Sequence, residues 1–300
     1  MKIISLGEVL WDILPEAEHL GGAPFNFAFH AHNLGHEVCF VSAVGEDSRG
    51  GRALEQMKQA GISARFIRRV AAYPSGTVSV TVDASDSPQY QIHRPAAYDF
   101  PAIAPEDFRT LLAPPPDWIY FGTLQQMSAT AHELTMQFLK TTPTARRFYD
   151  VNLRVDSYTP ELVRALAKHA HILKLNDQER PVMQEIAKIG GSSLEQFCRN
   201  CAQTFDLESV CVTLGSAGCA LLLDGEFLQA SGFRVQVADT VGAGDAFSAA
   251  LAHGLSAGWP ATKIADFANR IGALVASRPG GTPTWTVEEA MALRSTPGLR

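Results

Sequence analysis

Two nucleotide-binding fingerprints are missing from this sequence. No G-x-x-x-x-G-K-[ST] occurs, and the first strand-like run leads into Gly7-Glu8-Val9-Leu10 rather than a G-x-G-x-x-G turn. The first absence excludes a P-loop enzyme and the second disfavours a Rossmann dehydrogenase. Positive charge is also short, with 25 Lys and Arg against 31 Asp and Glu and a net charge of −6. That balance argues against nucleic acid or an anionic membrane as partner. An anionic ligand would have to be held by local amides and metal. No apolar run approaches membrane-spanning length, and MKIISLGEVLWDILPE lacks the apolar stretch of a signal peptide, so a cytoplasmic protein is expected. The five cysteines are odd in number and irregularly spaced, which suits reduced thiols. Cys198 and Cys201 form a C-x-x-C pair in helix-like LEQFCRNCAQTF, but no second Cys/His pair stands at zinc spacing. A structural role is favoured over a metal or redox one.

What is present reads as a single α/β domain over residues 1–300. Short apolar runs at Ile3–Leu6, Val38–Val44, Trp118–Phe121, Phe148–Val151, Ile172–Leu175 and Val210–Leu214 alternate with amphipathic stretches. Phe25–Leu34 and Ala53–Ala60 end at Gly35 and Gly61, the glycine stops of helices. Thr130 with Glu133 predicts a capping box for the helix toward Lys140. This alternation predicts a doubly wound, mainly parallel central sheet flanked by helices, with ligands beyond the carboxyl ends of its strands. Thr77–Val82 and Gln89–His93 break the pattern. Val78, Val80, Val82, Tyr90 and Ile92 alternate with polar residues across DASDSP, predicting a β-hairpin with one wet face. Such a small projecting sheet suits a lid. Asp224-Gly225 predicts a second hairpin from Cys219–Leu223 to Phe227.

The segment FRVQVADTVGAGDAFSAALAHG carries the chemistry. Phe233, Val235 and Val237 alternate as in a strand, while Phe247, Ala250, Leu251, Gly254 and Leu255 recur at helical spacing. Gly242-Ala243-Gly244 therefore lie at a strand-to-helix turn, where free first-turn amides and the helix dipole favour an anion. Asp245 stands where a carboxylate could take a proton from an attacking hydroxyl. On local features alone, an acidic residue favoured by a helix start is an equal reading.

The motifs together point to a family. DTVGAGDAF at 239–247 resembles the C-terminal signature of the ribokinase-like, or PfkB, carbohydrate kinases. GGAPFNFAFHAHNLG at 21–35 with VGEDSRG at 44–50 resembles the N-terminal signature. LKLNDQE at 173–179 resembles the N-x-x-E element and VTLGSAG at 212–218 the nucleotide loop. The four appear in the family's order. GEVLWDILP, Pro-Phe-Asn, FGTLQQ and DVNLR look most like fructokinases, whereas the lid sequence QIHRPAAYDF follows theirs only loosely.

The resemblance implies a ribokinase-like fold with a lid from about 10–22 and 72–98, moving the γ-phosphoryl group of ATP to a sugar. Fructose to fructose 6-phosphate is the first expectation. A 2-keto-3-deoxygluconate, ribose or nucleoside kinase, or a non-catalytic sugar or nucleotide sensor, are the alternatives. It implies Asp245 as general base, with Gly242, Ala243 and Gly244 stabilising the transferring group. Asp12, Gly22 and Asn26 would bind sugar hydroxyls, with Arg94, Asn152 and Arg154 as further substrate contacts. Asn176, Thr213, Gly215, Gly218, Asn269 and Gly272 would line the ATP site. Asn176 and Glu179 would organise Mg²⁺ and its waters, which oxygen chemistry suits. A K⁺ site is implied from Asp239 to Val241 and Val275 to Thr284, with Val275, Arg278 and Gly280 among its positions. A homodimer through the lid is a further implication. Several residues keep a bland alternative: Asn176 and Glu179 as a helix cap with an acidic first turn, Asn26 as a helix-start polar residue, Asp12 as a loop cap, Arg154 as a surface ion pair. His30 and His32, two apart on different helix faces, are read as packing or solvation, and Phe25, Phe27 and Phe29 as core.

Overall fold

The computed structural model describes residues 1–14, 17–82 and 88–294, with the side chains of 80–90 left aside. The hairpin turn expected at Asp83–Ser87, and the outward or inward facing of Val80, Val82 and Tyr90, lie outside the described residues.

Nine strands form the main sheet. Their order is β13 (Glu226–Ala230), β12 (Cys219–Leu223), β11 (Ser209–Thr213), β10 (Ile172–Asn176), β9 (Arg146–Asp150), β8 (Trp118–Gly122), β1 (Lys2–Leu6), β4 (Glu37–Gly45) and β5 (Ile67–Val70). All neighbours from β11 to β5 run parallel, and only the β11–β12 and β12–β13 pairs are antiparallel. Period-two alternation sends successive apolar residues to opposite faces. Ile4, Phe121, Tyr149 and Leu173 pack one face with α4 (Ala129–Thr141), α5 (Pro160–Ala167), α6 (Glu179–Ala187) and α7 (Leu194–Phe205). Ile3, Tyr120, Phe148 and Ile172 pack the other with α1 (Ala23–Asn33), α8 (Ala243–Ser256) and α9 (Ala261–Ala276). Each large side chain buried here contributes roughly 1.5–3 kcal/mol of hydrophobic stabilisation, which is why both faces are covered.

Glycine stops fall where expected: α1 is capped at Leu34 before Gly35 (φ 83°), and α2 (Ser48–Gln59) at Ala60 before Gly61 (φ 75°). The hairpin β12–β13 turns through Asp224 and Gly225, both at positive φ. Two local expectations need correction. The cap of α4 is Ser128, whose hydroxyl accepts from the Ala131 amide, so Thr130 sits inside the helix and forms no capping box. Residues 233–238 form no strand, only an isolated bridge at Phe233. Their apolar side chains line a cavity instead of a sheet face.

A second, four-stranded sheet stands beside the first, in the order β3 (Glu18–Gly21), β2 (Leu10–Ile13), β6 (Gly76–Val82) and β7 (Pro88–His93). Val78 is buried and Ile92 half-buried, while Gln91 and His93 are exposed, giving one wet face. Cys198 and Cys201 are fully buried in α7, where burial pushes the Cys198 thiol up to about 12. That environment favours an inert core thiol. No helix of the described residues is long and apolar enough to cross a membrane.

Candidate active site

The carboxyl ends of β1, β8, β9, β10 and β11 all open toward one place. Glu8, Thr123, Asn152, Asn176 and Thr213 sit at or just after those ends. Two helices, α1 and α8, begin there as well. Gly22 precedes α1 with φ 110°, and a Cβ at that position would come within 2.5 Å of the Glu8 carbonyl oxygen. Gly242 precedes α8 with φ 76°, and its Cβ would come within 2.3 Å of the Gly281 carbonyl oxygen. Both positions therefore need glycine on grounds of strain and space.

No side chain caps α8; the Ala243 amide makes a long bond to the Thr240 carbonyl at 3.4 Å, and the helix start leaves its remaining first-turn amides to a ligand. Asp245 lies in that turn, 8% exposed. Asn26 Nδ2 donates to Asp245 Oδ2 at 2.8 Å, joining two residues 219 positions apart. Asn26 Oδ1 is buried with no partner. A buried acceptor of this kind calls for a donor, such as a substrate hydroxyl. Burial, with the Asp150 carboxylate nearby, raises Asp245 to about 6, against the pull of Lys174, Asn26 and Arg154.

Asp12 enters from lid strand β2. A Cβ on Gly21 would be 3.0 Å from Asp12 Oδ2 and 3.9 Å from Asn26 Oδ1, so the three stand side by side. Burial raises Asp12 to about 6, partly offset by Arg154. The exposed Arg154 also lowers Glu8 and Asp245, placing one guanidinium among three carboxyl groups. Asn152, at φ 37°, shares a small pocket with Arg154, Glu8, Tyr120 and Asp150. Arg94 departs from its expected role. Its guanidinium is committed to Asp99 at 2.5 Å and to the Leu124 carbonyl at 2.9 Å, so it braces the base of the lid and has little left for substrate.

On the other side of the α8 turn lies a cavity of about 520 Å³. Asn176, Thr213, Gly215, Gly218, Asn269 and Gly272 all line it, and so do Ala243 and Gly244. Its volume falls within the range of small-molecule sites. Phe233, Val235 and Val237 supply an apolar wall suited to a flat base, which explains why Val237 is 58% exposed.

Asn176 and Glu179 cap each other. Asn176 Oδ1 accepts from the Glu179 amide at 2.9 Å, and Glu179 Oε2 accepts from the Asn176 amide at 2.8 Å. Glu179 Oε1 accepts from the Leu153 amide at 2.6 Å, tying β10's end to the DVNLR loop. With both oxygens engaged, Glu179 fits a contact to metal-bound water better than direct ligation. Among the described residues no cluster of three His, Cys, Asp or Glu is arranged to hold a metal. The loops expected to hold K⁺ do meet: Asp239 Oδ1 accepts from Val241 and Oδ2 from Gly280, each at 3.0 Å. The Val275 carbonyl accepts from the Arg278 amide at 3.0 Å as α9 ends.

Sequence reasoning missed three polar residues here, Glu8, Lys174 and Asp150. Glu8 is buried, its Oε2 is unpartnered, and burial raises it to about 7. Lys174 and Asp150 form a buried ion pair behind the α8 turn. Of the two readings given for His30, packing holds, for it is fully buried: Trp285 Nε1 donates to its Nδ1 at 2.9 Å, so Nε2 carries the proton and donates to the Gly281 carbonyl at 3.0 Å. His30 thus ties α1 to the loop that abuts Gly242. For Lys174 and Asp150 the available signal was a charged residue at an otherwise apolar strand position; Glu8, in the loop after β1, gave none.

An open amide turn, an adjoining carboxylate and a nucleotide-sized cavity, all at the strand ends of a doubly wound sheet, define a small-molecule kinase that works without a P-loop. Comparison with known proteins agrees. The chain belongs to the pfkB family of carbohydrate kinases, whose model matches residues 16–287. It is 28% identical over 303 residues to the aminoimidazole riboside kinase of Salmonella typhimurium, covering 93% of this chain and 90% of that protein. It is 30% identical over 267 residues to a fructokinase of Klebsiella pneumoniae, covering 85% of each. Among solved structures, the fructokinase of Xylella fastidiosa with bound ATP superposes with a TM-score of 0.84 at 21% identity, covering 97% of both chains.

Proposed function

We propose that this phosphotransferase moves the γ-phosphoryl group of ATP to a hydroxyl of a small sugar, with fructose, giving fructose 6-phosphate, as first substrate. The observation that carries the reading is the Asn26–Asp245 hydrogen bond at the mouth of the α8 turn, with the cavity on its far side. The sugar would lie between Asp12, Asn26, Gly22 and Arg154, its hydroxyls meeting the unpartnered Asn26 Oδ1. Asp245 accepts the proton of the attacking hydroxyl, and the amides of 242–244 stabilise charge on the transferring group. Positioning and electrostatics then account for most of the catalysis. ATP as donor is supported by the Xylella relative, whose structure holds ATP. Asn176 and Glu179 would orient the waters of an Mg²⁺ bound to the triphosphate, the ion supplying charge neutralisation there. The Asp239-bridged loops are the place for K⁺, and the small sheet's open face is the place for a dimer contact.

A second substrate reading has its own support in the 28% identity to a riboside kinase. ADP release measured with fructose, ribose, aminoimidazole riboside, adenosine and 2-keto-3-deoxygluconate separates the two. The highest kcat/KM is expected with fructose. A clear preference for a riboside or ketodeoxygluconate would overturn the substrate and leave the family intact. ADP release with no sugar above background would favour a sensor.

A further inference from the structure

Lys174 is a charged residue in the middle of a buried parallel strand. It is 6% exposed, and its neighbours Leu173 and Leu175 are core residues. Its Nζ donates to both oxygens of Asp150, at 3.1 Å each. Asp150 is fully buried and also accepts from Tyr120 Oη at 3.1 Å and Ser248 Oγ at 2.9 Å. Ser248 lies one turn beyond Gly244, whose carbonyl its hydroxyl also contacts at 2.9 Å. A Cβ built on Gly244 would come within 3.2 Å of Lys174 Nζ. The ammonium therefore stands immediately behind the amide turn.

A buried ion pair is weak evidence of stability, since desolvation offsets most of its attraction. Retaining one here asks for another reason. We propose that Lys174, held by Asp150, is an electrostatic positioning residue for phosphoryl transfer: a fixed positive charge behind the 242–244 amides, balanced by a carboxylate behind the base. With Lys174 6% and Asp150 0% exposed, the role assigned to the pair is to act through its charge on the base and the amide turn. Lys174 faces Asp150, Glu179 and Asp245, and all three carboxylates favour its charged form over the opposing effect of burial. Asp245 is faced by Asn26 and Arg154, by Asp150 and Lys174, and by Glu8 and Tyr120, from six separate segments. Asp150 raises its proton affinity and Lys174 lowers it. The two members of the pair thus act on the base with opposite sign. In the low-dielectric interior, the same ammonium favours the negative charge that builds on the transferring group.

The inference rests on the phosphoryl-transfer reading, whose own failure would show as wild-type protein without turnover. Its test is the pH profile of kcat/KM in full-length protein. Wild-type activity is expected to fall as pH drops through about 6, where Asp245 takes up its proton. Lys174→Met should move that acid limb up by ~1 unit or more, and Asp150→Asn should move it down. The double variant should return it close to its original position. At plateau pH, Lys174→Met should also lose ~10-fold or more in kcat. Should Lys174→Met fail to fold, the downward shift in Asp150→Asn decides alone. An acid limb that stays put in every folded variant, with only melting temperatures lowered, would assign the pair to the core and overturn the proposal.

Discussion

On the proposed reading, Asp245 carries both the cost and the chemistry of the site. An ionised carboxylate buried in the first turn of α8 opposes folding, because its proton affinity is higher in the folded protein than in the unfolded chain. The folded state then holds more protons than the unfolded one between about pH 4 and 6, so this group's penalty grows as pH rises through that window. Asp245→Asn removes the penalty. The variant is expected to melt above wild type at pH 8, by up to about 3 kcal/mol, with the difference shrinking below pH 6 and lost near pH 4. Thermal melts across pH check this, and a variant less stable than wild type at pH 8 would speak against it. Residues differ in how far their place in the site showed in the sequence. Asp245, Asn26 and Asn176 lie inside motifs whose spacing is local. Lys174 and Asp150 lie inside quoted motifs too, yet their pairing crosses two strands and shows only when β9 and β10 are adjacent. The pairing of Arg94 with Asp99, 4% exposed in its side chain, did not show in the sequence, because no helical or strand period links positions 94 and 99.

At the scale of elements, the turn from 239 to 245 depends on its contact with the C-terminal glycine loop. Asp239 bridges to Gly280, His30 holds the Gly281 carbonyl, and Gly281 abuts Gly242. Gly242→Ala combines a positive φ with a backbone clash, so one loop or the other must shift. The expected outcome is a loss of ~10²-fold or more in kcat, with ATP affinity changed far less, since only the charge formed during transfer depends on exact amide placement. Steady-state kinetics beside a direct ATP titration would show this; a loss in ATP affinity alone would contradict it. The strand expected at 233–238 failed at this same scale. Its alternating apolar residues read as one face of a sheet, but their partner is the cavity, and periodicity cannot tell protein from ligand as the covering surface. The start of α4 failed more simply: both Ser128 and Thr130 have the chemistry of a cap, and tertiary contact of Ser128 with the Asp99 carbonyl decides between them.

At the scale of the whole molecule, alternation of strands and helices was enough to predict the main sheet, because a parallel strand buried on both faces has few other ways to be covered. The hairpin of the small sheet was legible from its alternation, whereas grouping it with the stretch at about 10–22 came only from the family resemblance, since the parallel pairing of β2 with β6 joins Leu10 to Gly76, far apart in sequence. The main sheet, lid strand β2 and the cavity converge on one carboxylate, and the central claim is that this carboxylate is the base. The most direct test is turnover of Asp245→Asn, beside its binding of ATP and sugar and its melting curve. A folded variant that binds both ligands yet loses ~10²–10⁴-fold in kcat is predicted. A folded variant that keeps a third or more (roughly) of wild-type kcat would contradict the account, since removing a general base costs orders of magnitude.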